Sequence, residues 1–359
     1  RWAVTPEQVV LPVMRAIGAR PRLSRTLFRF ARWGDPFAPE RFSDPYDIYA
    51  VMTAEGPVVH SRAYQRWFVS GHDEVLEVLR SPHVSTAAVV EGLLSARPYS
   101  QLSDRARSSF TRWLLVNDPP DHTRLRRVVS RAFTPKRIQE IEPRIRDITR
   151  SLLAELESVE RCEVVSTFTA RLPIYAIGEL LGVPTDRWSW LHESSSEIGS
   201  LLEPMDGFDP RSMNRRFDEL DELFDVLARR RRAEPRSDLI TDLVAAEDGD
   251  VLSDTEVVAM IGLLMFAGHE TTSGLLGNSI VALARHPDQR AVLRNEPQLI
   301  DNAVEELLRY DPPAQFTGRI TTQPIEVGGR TIPAGHSIAL MIGAANRDRR
   351  RWPDADRLV

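Results

Sequence analysis

Residues Ser253 to Pro287 read SDTEVVAMIGLLMFAGHETTSGLLGNSIVALARHP, and the reading of this run decides the fold. Ser253 followed by Glu256 is a capping box, and His286-Pro287 is a stop signal, so the residues between them form one unbroken helix. At 1.5 Å per residue it is roughly 48 Å long. From Val257 to Phe266 the helix has no polar face, which requires protein on every side of it. Ala267-Gly268 then leads into His269, Glu270, Thr271 and Thr272, small and polar residues where Leu or Val would continue the pattern. Burying such a cluster costs a few kcal/mol per unsatisfied group. The cluster is therefore either fully hydrogen-bonded or set against a cavity where chemistry happens. A zinc-protease helix is excluded, because HExxH needs a second His four residues after His269 and the chain has Ser273.

With 359 residues, 42% hydrophobic and 27% charged, the chain has the composition of a globular enzyme with a large core. A net charge of −5 argues against nucleic acid as a partner. No apolar run long enough to span a bilayer and no signal peptide stands at the N-terminus, so we expect a cytoplasmic protein with no membrane partner. The single cysteine, Cys162, excludes an internal disulfide framework and any multi-cysteine zinc or iron–sulfur site, and is expected to be a small semi-buried thiol. Arginine is used almost to the exclusion of lysine, Lys136 being the one exception, which points to a GC-rich bacterial genome. The chain opens on Arg1 and not Met, so we expect it to have lost its start. There is no GxSxG and no P-loop to support a hydrolase.

Residues 1 to 42 have mixed character. DPYDIYAVMTAEGP then delivers a helix to a strand over Val58–Ser61, with a hairpin partner over Arg66–Ser70 and a helix in HDEVLEVLRS. Pro82 to Leu115 reads as a long loop, the wall of a binding pocket. NDPPDHTRLRRVVSRAFTP is a helix opened by proline, with His122 and Arg126 four apart on one face. Pro143–Leu156 has helical periodicity. CEVVSTFTARLP reads as strand and loop, and IYAIGELLG as a helix closed by Gly182. Two helices follow over Val183–Leu202 and Asp209–Ala233, the second with Phe217, Leu220, Phe224 and Leu227 in one stripe. Beyond the long helix, Glu306 and Arg309 at i and i+3 can meet on one side of a helix. Strands then turn at Gly328-Gly329 and near Gly335.

AGHETTSG on so long a helix, DPPDHTRLR, ExxR before a proline pair and the strands after it stand in one order, from about Asp44 to Val359, that resembles the cytochrome P-450 monooxygenases. The resemblance implies a mainly α fold: a helix-rich single domain over 1–359 with a small β-rich subdomain and a long central helix. It implies haem b (iron protoporphyrin IX) as cofactor, with His122, Arg126 and Arg319 on the propionates, and Ala267, Gly268 and Thr271 beside the haem. Glu270 and Thr271 carry over as the catalytic pair that delivers protons. A local widening of the helix at Gly268 would leave a groove for O2, and would free the Ala267 carbonyl that a mid-helix Thr271 otherwise bonds. His269, at the variable position of the motif, is given no catalytic role. Glu306 and Arg309 carry over as the structural pair, with Arg357 as its third member and Leu358 where the family has Phe.

The family's haem loop, FxxGxHxCxG, follows such a segment, so the Cys ligand is expected beyond Val359 and no metal ligand is assigned within the chain. The implied reaction is O2-dependent hydroxylation of an apolar small molecule, with electrons from NAD(P)H through a ferredoxin reductase and a ferredoxin. Arg124, Arg127, Arg131, Lys136 and Arg137 would form the basic face where an acidic ferredoxin docks. The substrate pocket would be lined by Pro82–Leu115, the 199–210 linker acting as a lid, Ile261–Met265 and Pro313–Thr317. A monomer is expected. A second reading, from another class, is a haemless relative of this fold that binds and activates a glycosyltransferase.

Overall fold

In this computed structural model the described residues are 43–158, 160–199, 208–245 and 252–359, with 36, 37, 41 and 201. Most of the N-terminal 42 residues and of the 199–210 lid lie outside them. The described residues form two compact units, one of residues up to Gly92 with Asn278–Val359, the other of Leu93–Gly277.

The first unit opens with α1 (Tyr46–Glu55), β1 (Val58–Ser61), β2 (Arg66–Val69), α2 (His72–Arg80) and β3 (Val84–Ser85), and α3 (Ala87–Ser95) leads out of it. The second contains α4 (Asp104–Thr111), α5 (Asp121–Ala132), α6 (Pro135–Glu157), α7 (Arg171–Leu181), α8 (Trp188–Gly199), α9 (Pro210–Ala233), α10 (Leu239–Val244) and the long helix α11 (Asp254–Arg285) to Gly277. The chain then completes the first unit with α12 (Pro287–Asn295), α13 (Ile300–Tyr310), β4 (Thr317–Thr321), β5 (Ile325–Val327), β6 (Arg330–Ile332), β7 (Ser337–Leu340) and α14 (Ile342–Ala345).

The first unit is built on a sheet of order β1-β2-β7-β4-β3, in which β2 and β7 run parallel and the other pairs antiparallel. Side chains alternate across a strand, and here both faces are covered. Phe68 and Ala339 meet Ile48, Tyr49 and Met52 of α1 and Ala344 of α14 on one face. Val69, Ile338 and Leu340 meet Val75 and Val78 of α2 and the β5–β6 hairpin residues Ile325, Val327 and Ile332 on the other. Gly328 and Gly329, at φ +54° and +71°, supply the positive φ that a two-residue hairpin turn requires. The first turn of α2 has only Gly71 at its N-cap, and its cap comes from far along the chain: the His72 N–H donates to Asp348 Oδ2 at 3.0 Å. Arg350 joins Asp348 and Glu74, each at 2.6 Å. Burial would push the Asp348 carboxyl up, but Arg350 and the backbone N–H donors outweigh it and hold it down at about 2.

Glu306 and Arg309 meet on α13 through two parallel hydrogen bonds of 2.7 Å, with side chains 19% and 11% exposed. The rest of the guanidinium donates to the carbonyls of Asn346 (3.1 Å), Ala355 (2.8 Å) and Arg357 (2.8 Å), and Glu306 accepts the Val359 N–H at 2.9 Å. The pair thus fixes the segment after α14. Arg357 takes part through its backbone carbonyl, and its own side chain is exposed, which corrects the expectation that a second arginine side chain completes the pair. The five donors of Arg309 are thus all satisfied by Glu306 and these carbonyls.

In the second unit the capping box forms as read: the Glu256 N–H donates to Ser253 Oγ at 3.3 Å and the Ser253 N–H to Glu256 Oε2 at 2.8 Å. Val257, Met260, Ile261 and Met265 are fully buried, and Trp113 stacks on Phe266 with centroids 5.3 Å apart. The α9 stripe of Phe217, Leu220, Phe224 and Leu227 is buried as well. Gly182, at φ +71°, ends α7 in a Schellman turn, its own N–H donating to Glu179 O and the Val183 N–H to Gly178 O.

Two local expectations fail. Pro82–Leu115 is not a loop: it holds β3, α3 and α4, because Tyr99, Leu102, Ala106, Phe110 and Trp113 recur at helical spacing and are all buried, and Ser103 caps α4 from the Ala106 N–H. Nor does CEVVSTFTARLP contain a strand. Glu163 accepts the N–H groups of Val165 (2.9 Å) and Ser166 (2.6 Å) and so starts a π-helical turn, Val165–Thr169, that runs into α7. Capping here outweighs the β-propensity of the Val and Thr residues. Cys162, just before it, is exposed and not semi-buried.

Replacing Glu306 by Ala would leave the Arg309 charge largely buried with only carbonyls for partners, at a cost of about 3 kcal/mol. Urea unfolding followed by far-UV circular dichroism measures it, and an unchanged midpoint would return the pair to the status of a surface ion pair.

Candidate functional site

The polar run on α11 sits where the helix passes from wholly buried to partly exposed: Ala267, Gly268 and Glu270 are half-buried, His269 is buried, and Thr271 and Thr272 are exposed. The helix remains α-helical throughout, and Thr271 Oγ1 donates to Ala267 O at 2.8 Å. The expected widening at Gly268, with its free carbonyl, is therefore absent. Gly268 has another reason to be glycine. A Cβ there would lie 3.2 Å from Ile177 Cδ1 on α7, so the missing side chain lets two helices approach closely.

His269 is 1% exposed, and both ring nitrogens have partners: Nδ1 lies 2.8 Å from Ser195 Oγ of α8, and Nε2 lies 3.1 Å from Ala170 O at the entrance to α7. The Glu270 carboxylate, 38% exposed, has Oε1 3.4 Å from His269 Nδ1. A Cβ on Gly199, the last residue of α8, would lie 3.5 Å from the Glu270 carboxyl carbon. Sequence reasoning missed Ser195 and gave His269 no function. The signal that could have found Ser195 is SerSerSer at 194–196, a polar break in a helix that otherwise buries Trp188, Leu191 and Ile198.

The cationic candidates divide by their partners. On α5, Leu125 and Val128 face the core, His122 is half-buried and Arg126 is exposed. Arg124 is spent in an ion pair with Glu256 at the start of α11. Burial would raise the Glu256 carboxyl, but Arg124 and Ser253 together lower it. Arg137 is likewise spent, 2.7 Å from Asp242 and 2.7 Å from Ser237. Neither belongs to an open basic face, which corrects that part of the expected docking surface, whereas Arg127, Arg131 and Lys136 are exposed. Arg126, by contrast, has no ion pair among the described residues. In the first unit, Arg319 is half-buried on β4, opposite Ile338 of β7, and donates to Gly318 O at 2.7 Å.

This donor set fits haem in two respects. An unpaired guanidinium beside paired ones suits a group that brings its own carboxylates. The small side chain of Ala267, one turn before the Thr271 hydroxyl on the same side of α11, suits an apolar group with polar chemistry beside it. Among the described residues no cluster of three His, Cys, Asp or Glu could hold a metal by itself, and no helix is long and apolar enough to cross a membrane.

Changing Gly268 to Ala should destabilise the protein by about 1 to 2 kcal/mol through overpacking against Ile177, and the double variant with Ile177→Val should recover part of it. Thermal unfolding of the two single variants and the double variant gives the coupling. Strict additivity would show that the two residues are not in contact.

Comparison with known proteins gives one answer. The family model described as Cytochrome P450 matches residues 189–358. Vitamin D(3) 25-hydroxylase of Pseudonocardia autotrophica is 37% identical over 329 residues, covering 90% of this chain and 79% of that protein. Cytochrome P450 107B1 of Saccharopolyspora erythraea is 36% identical over 338 residues, with the same two coverages. Among solved structures, CalO2 superposes with a TM-score of 0.83 at 30% identity, covering 90% of this chain and 81% of that one. P450BioI, in complex with an acyl carrier protein ligated to hexadec-9Z-enoic acid, gives 0.80 at 29% identity, covering 89% and 82%.

Proposed function

The chain belongs to the cytochrome P450 family, a monooxygenase that works with haem iron, and we propose that it hydroxylates an apolar small molecule, with haem b as the form of the cofactor. The observation that carries this reading is the junction on α11 of an apolar, enclosed stretch with Glu270 and Thr271, a carboxylate and a hydroxyl on adjacent residues. An apolar substrate is supported by two of the similar proteins, one named for hydroxylating vitamin D(3) and one crystallised with a long-chain acyl group. The enzyme reading is preferred over the haemless partner subunit because one of the similar proteins is named as a hydroxylase. We take the chain to act as a cytoplasmic monomer, with electrons from NAD(P)H by way of a reductase and a ferredoxin that docks on the exposed Arg127, Arg131 and Lys136.

Haem, when bound, would supply oxygen activation at its iron. His122, Arg126 and Arg319 are the residues that would bind the haem carboxylates, by charge-assisted hydrogen bonds. Ala267, four residues before Thr271 and so on the same side of α11, would leave room beside the haem, while Gly268 serves the packing of α11 against α7. Thr271 holds a proton on Oγ1, at present donated to Ala267 O. Turning that hydroxyl outward gives up one intrahelical bond, a net cost of about 1 kcal/mol, so the proton is available at small expense. Glu270, partly exposed, can take a proton from water on one carboxylate oxygen and restore it to the neighbouring hydroxyl.

Thr271→Ala should leave substrate binding and haem reduction intact while the ratio of product to NAD(P)H consumed falls several-fold and hydrogen peroxide rises. Unchanged coupling would remove this hydroxyl from the reaction. Arg126→Ala should weaken haem retention by about 10-fold or more, the usual loss for one charge-assisted hydrogen bond, without lowering the melting temperature of the haem-free protein. Transfer of haem to excess apomyoglobin measures it, and a wild-type transfer rate would contradict the role of Arg126.

A further inference from the structure

His269 is buried where three helical segments meet, and its hydrogen bonds fix the state of its ring. Ala170 O can only accept, so Nε2 carries a hydrogen. In the neutral ring Nδ1 is then a bare acceptor, and the Ser195 hydroxyl, 2.8 Å away, donates to it. Glu270 Oε1, 3.4 Å from the same nitrogen, meets a lone pair and gains nothing from staying. With a second proton on the ring the arrangement inverts. Nδ1 becomes a donor flanked by two acceptors, Ser195 Oγ and the Glu270 carboxylate, and the ion pair draws Glu270 in against α8. Gly199, the last residue of α8, borders that position: a Cβ there would be in ordinary van der Waals contact with the carboxyl group, at 3.5 Å.

We propose that His269 is a positioning residue for Glu270: through the proton on Nδ1 it sets whether the carboxylate is held against α8 or released to move protons. This rests on the role given to Glu270 above. The surroundings leave few other groups to act on the ring. On α8, His192 stands edge-on with its centroid 5.1 Å away and Ser196 Oγ 3.5 Å from its own Nδ1, while Glu197 is tied to Arg216 at 2.8 Å. At the entrance to α7, Arg171 is tied to Glu155 at 2.6 Å, and Glu163 is occupied in starting the π-helical turn. The titratable groups facing the imidazole among the described residues are thus Glu270 and His192. A histidine that merely fills the core would need the Ala170 and Ser195 bonds but would be indifferent to Glu270.

That difference is testable by nitrogen NMR of protein labelled in its histidines, with the His269 signals assigned by their loss in His269→Gln. The spectra are taken on the reduced, carbon-monoxide-bound enzyme, which is diamagnetic, or on the protein as purified if it holds no haem. At neutral pH the ring should be the tautomer with hydrogen on Nε2. In Glu270→Gln the Nδ1 signal of the charged ring should move, because the carboxylate that accepts from it, 3.4 Å away, is gone. An Nδ1–H tautomer in the neutral ring, or an unmoved Nδ1 signal, overturns the proposal whether or not the enzyme is active.

The second readout is coupling, product formed per NAD(P)H, as a function of pH. Gln can reach Ala170 O with its amide and keep the anchor, so His269→Gln should melt within a few degrees of wild type yet flatten this profile. A wild-type profile in His269→Gln, alongside an uncoupled Thr271→Ala, would reject His269 and leave the reading of Thr271 standing. Coupling lost in neither variant would reject the proton-delivery reading itself, and with it this proposal.

Discussion

The second unit depends on close approach to one helix. A helix that is apolar on all sides over Val257–Phe266 has to be enclosed, and enclosure brings α7 against Gly268 and the end of α8 against Glu270. Once backbones are that close, whatever is polar between them must be paired. His269 meets this demand with a hydroxyl on α8 and a carbonyl at the mouth of α7. Two residues further on the enclosure ends, and Thr271 is exposed. The reactive part of the chain lies at the edge of its most tightly packed part, which gives the side chains rigid support on one side and access on the other.

The first unit meets a different constraint, the fixing of irregular backbone. Asp348 caps a helix that has only glycine at its own N-cap, and Arg309 gathers three carbonyls from a segment without regular structure while Glu306 neutralises it. Both devices use a charged group with several hydrogen-bonding atoms to hold chain that apolar packing cannot hold. Arg350 and Glu306 make these charges tolerable at low exposure.

Much of this was legible in the sequence because it rests on spacing. The long helix, its capping box, the α9 stripe, the glycine end of α7, the hairpin glycines and the i, i+3 pair of Glu306 and Arg309 each follow from residue types at fixed intervals. What was not legible required a partner distant in sequence. Nothing local distinguishes Arg124 or Arg137, each spent on an acid more than a hundred residues away, from Arg126. Nothing local shows that the Arg357 carbonyl, and not its side chain, meets Arg309. Pro82–Leu115 was misread for another reason: its buried residues keep helical spacing, but Ser, Arg and Gly among them hide the period. At Gly268 the resemblance suggested space for a small molecule, whereas the neighbouring helix already accounts for the absent side chain.

The proposal on which the functional reading turns is that these residues serve a haem held by a thiolate. The most direct measurement is the absorption spectrum of the expressed protein, reduced and treated with carbon monoxide. Bound haem in near-stoichiometric amount is expected, with the strongly red-shifted Soret band of a thiolate-ligated carbonyl complex. A protein that folds, melts cooperatively and shows no haem absorbance, or shows the carbonyl band of a histidine-ligated haem, would contradict it.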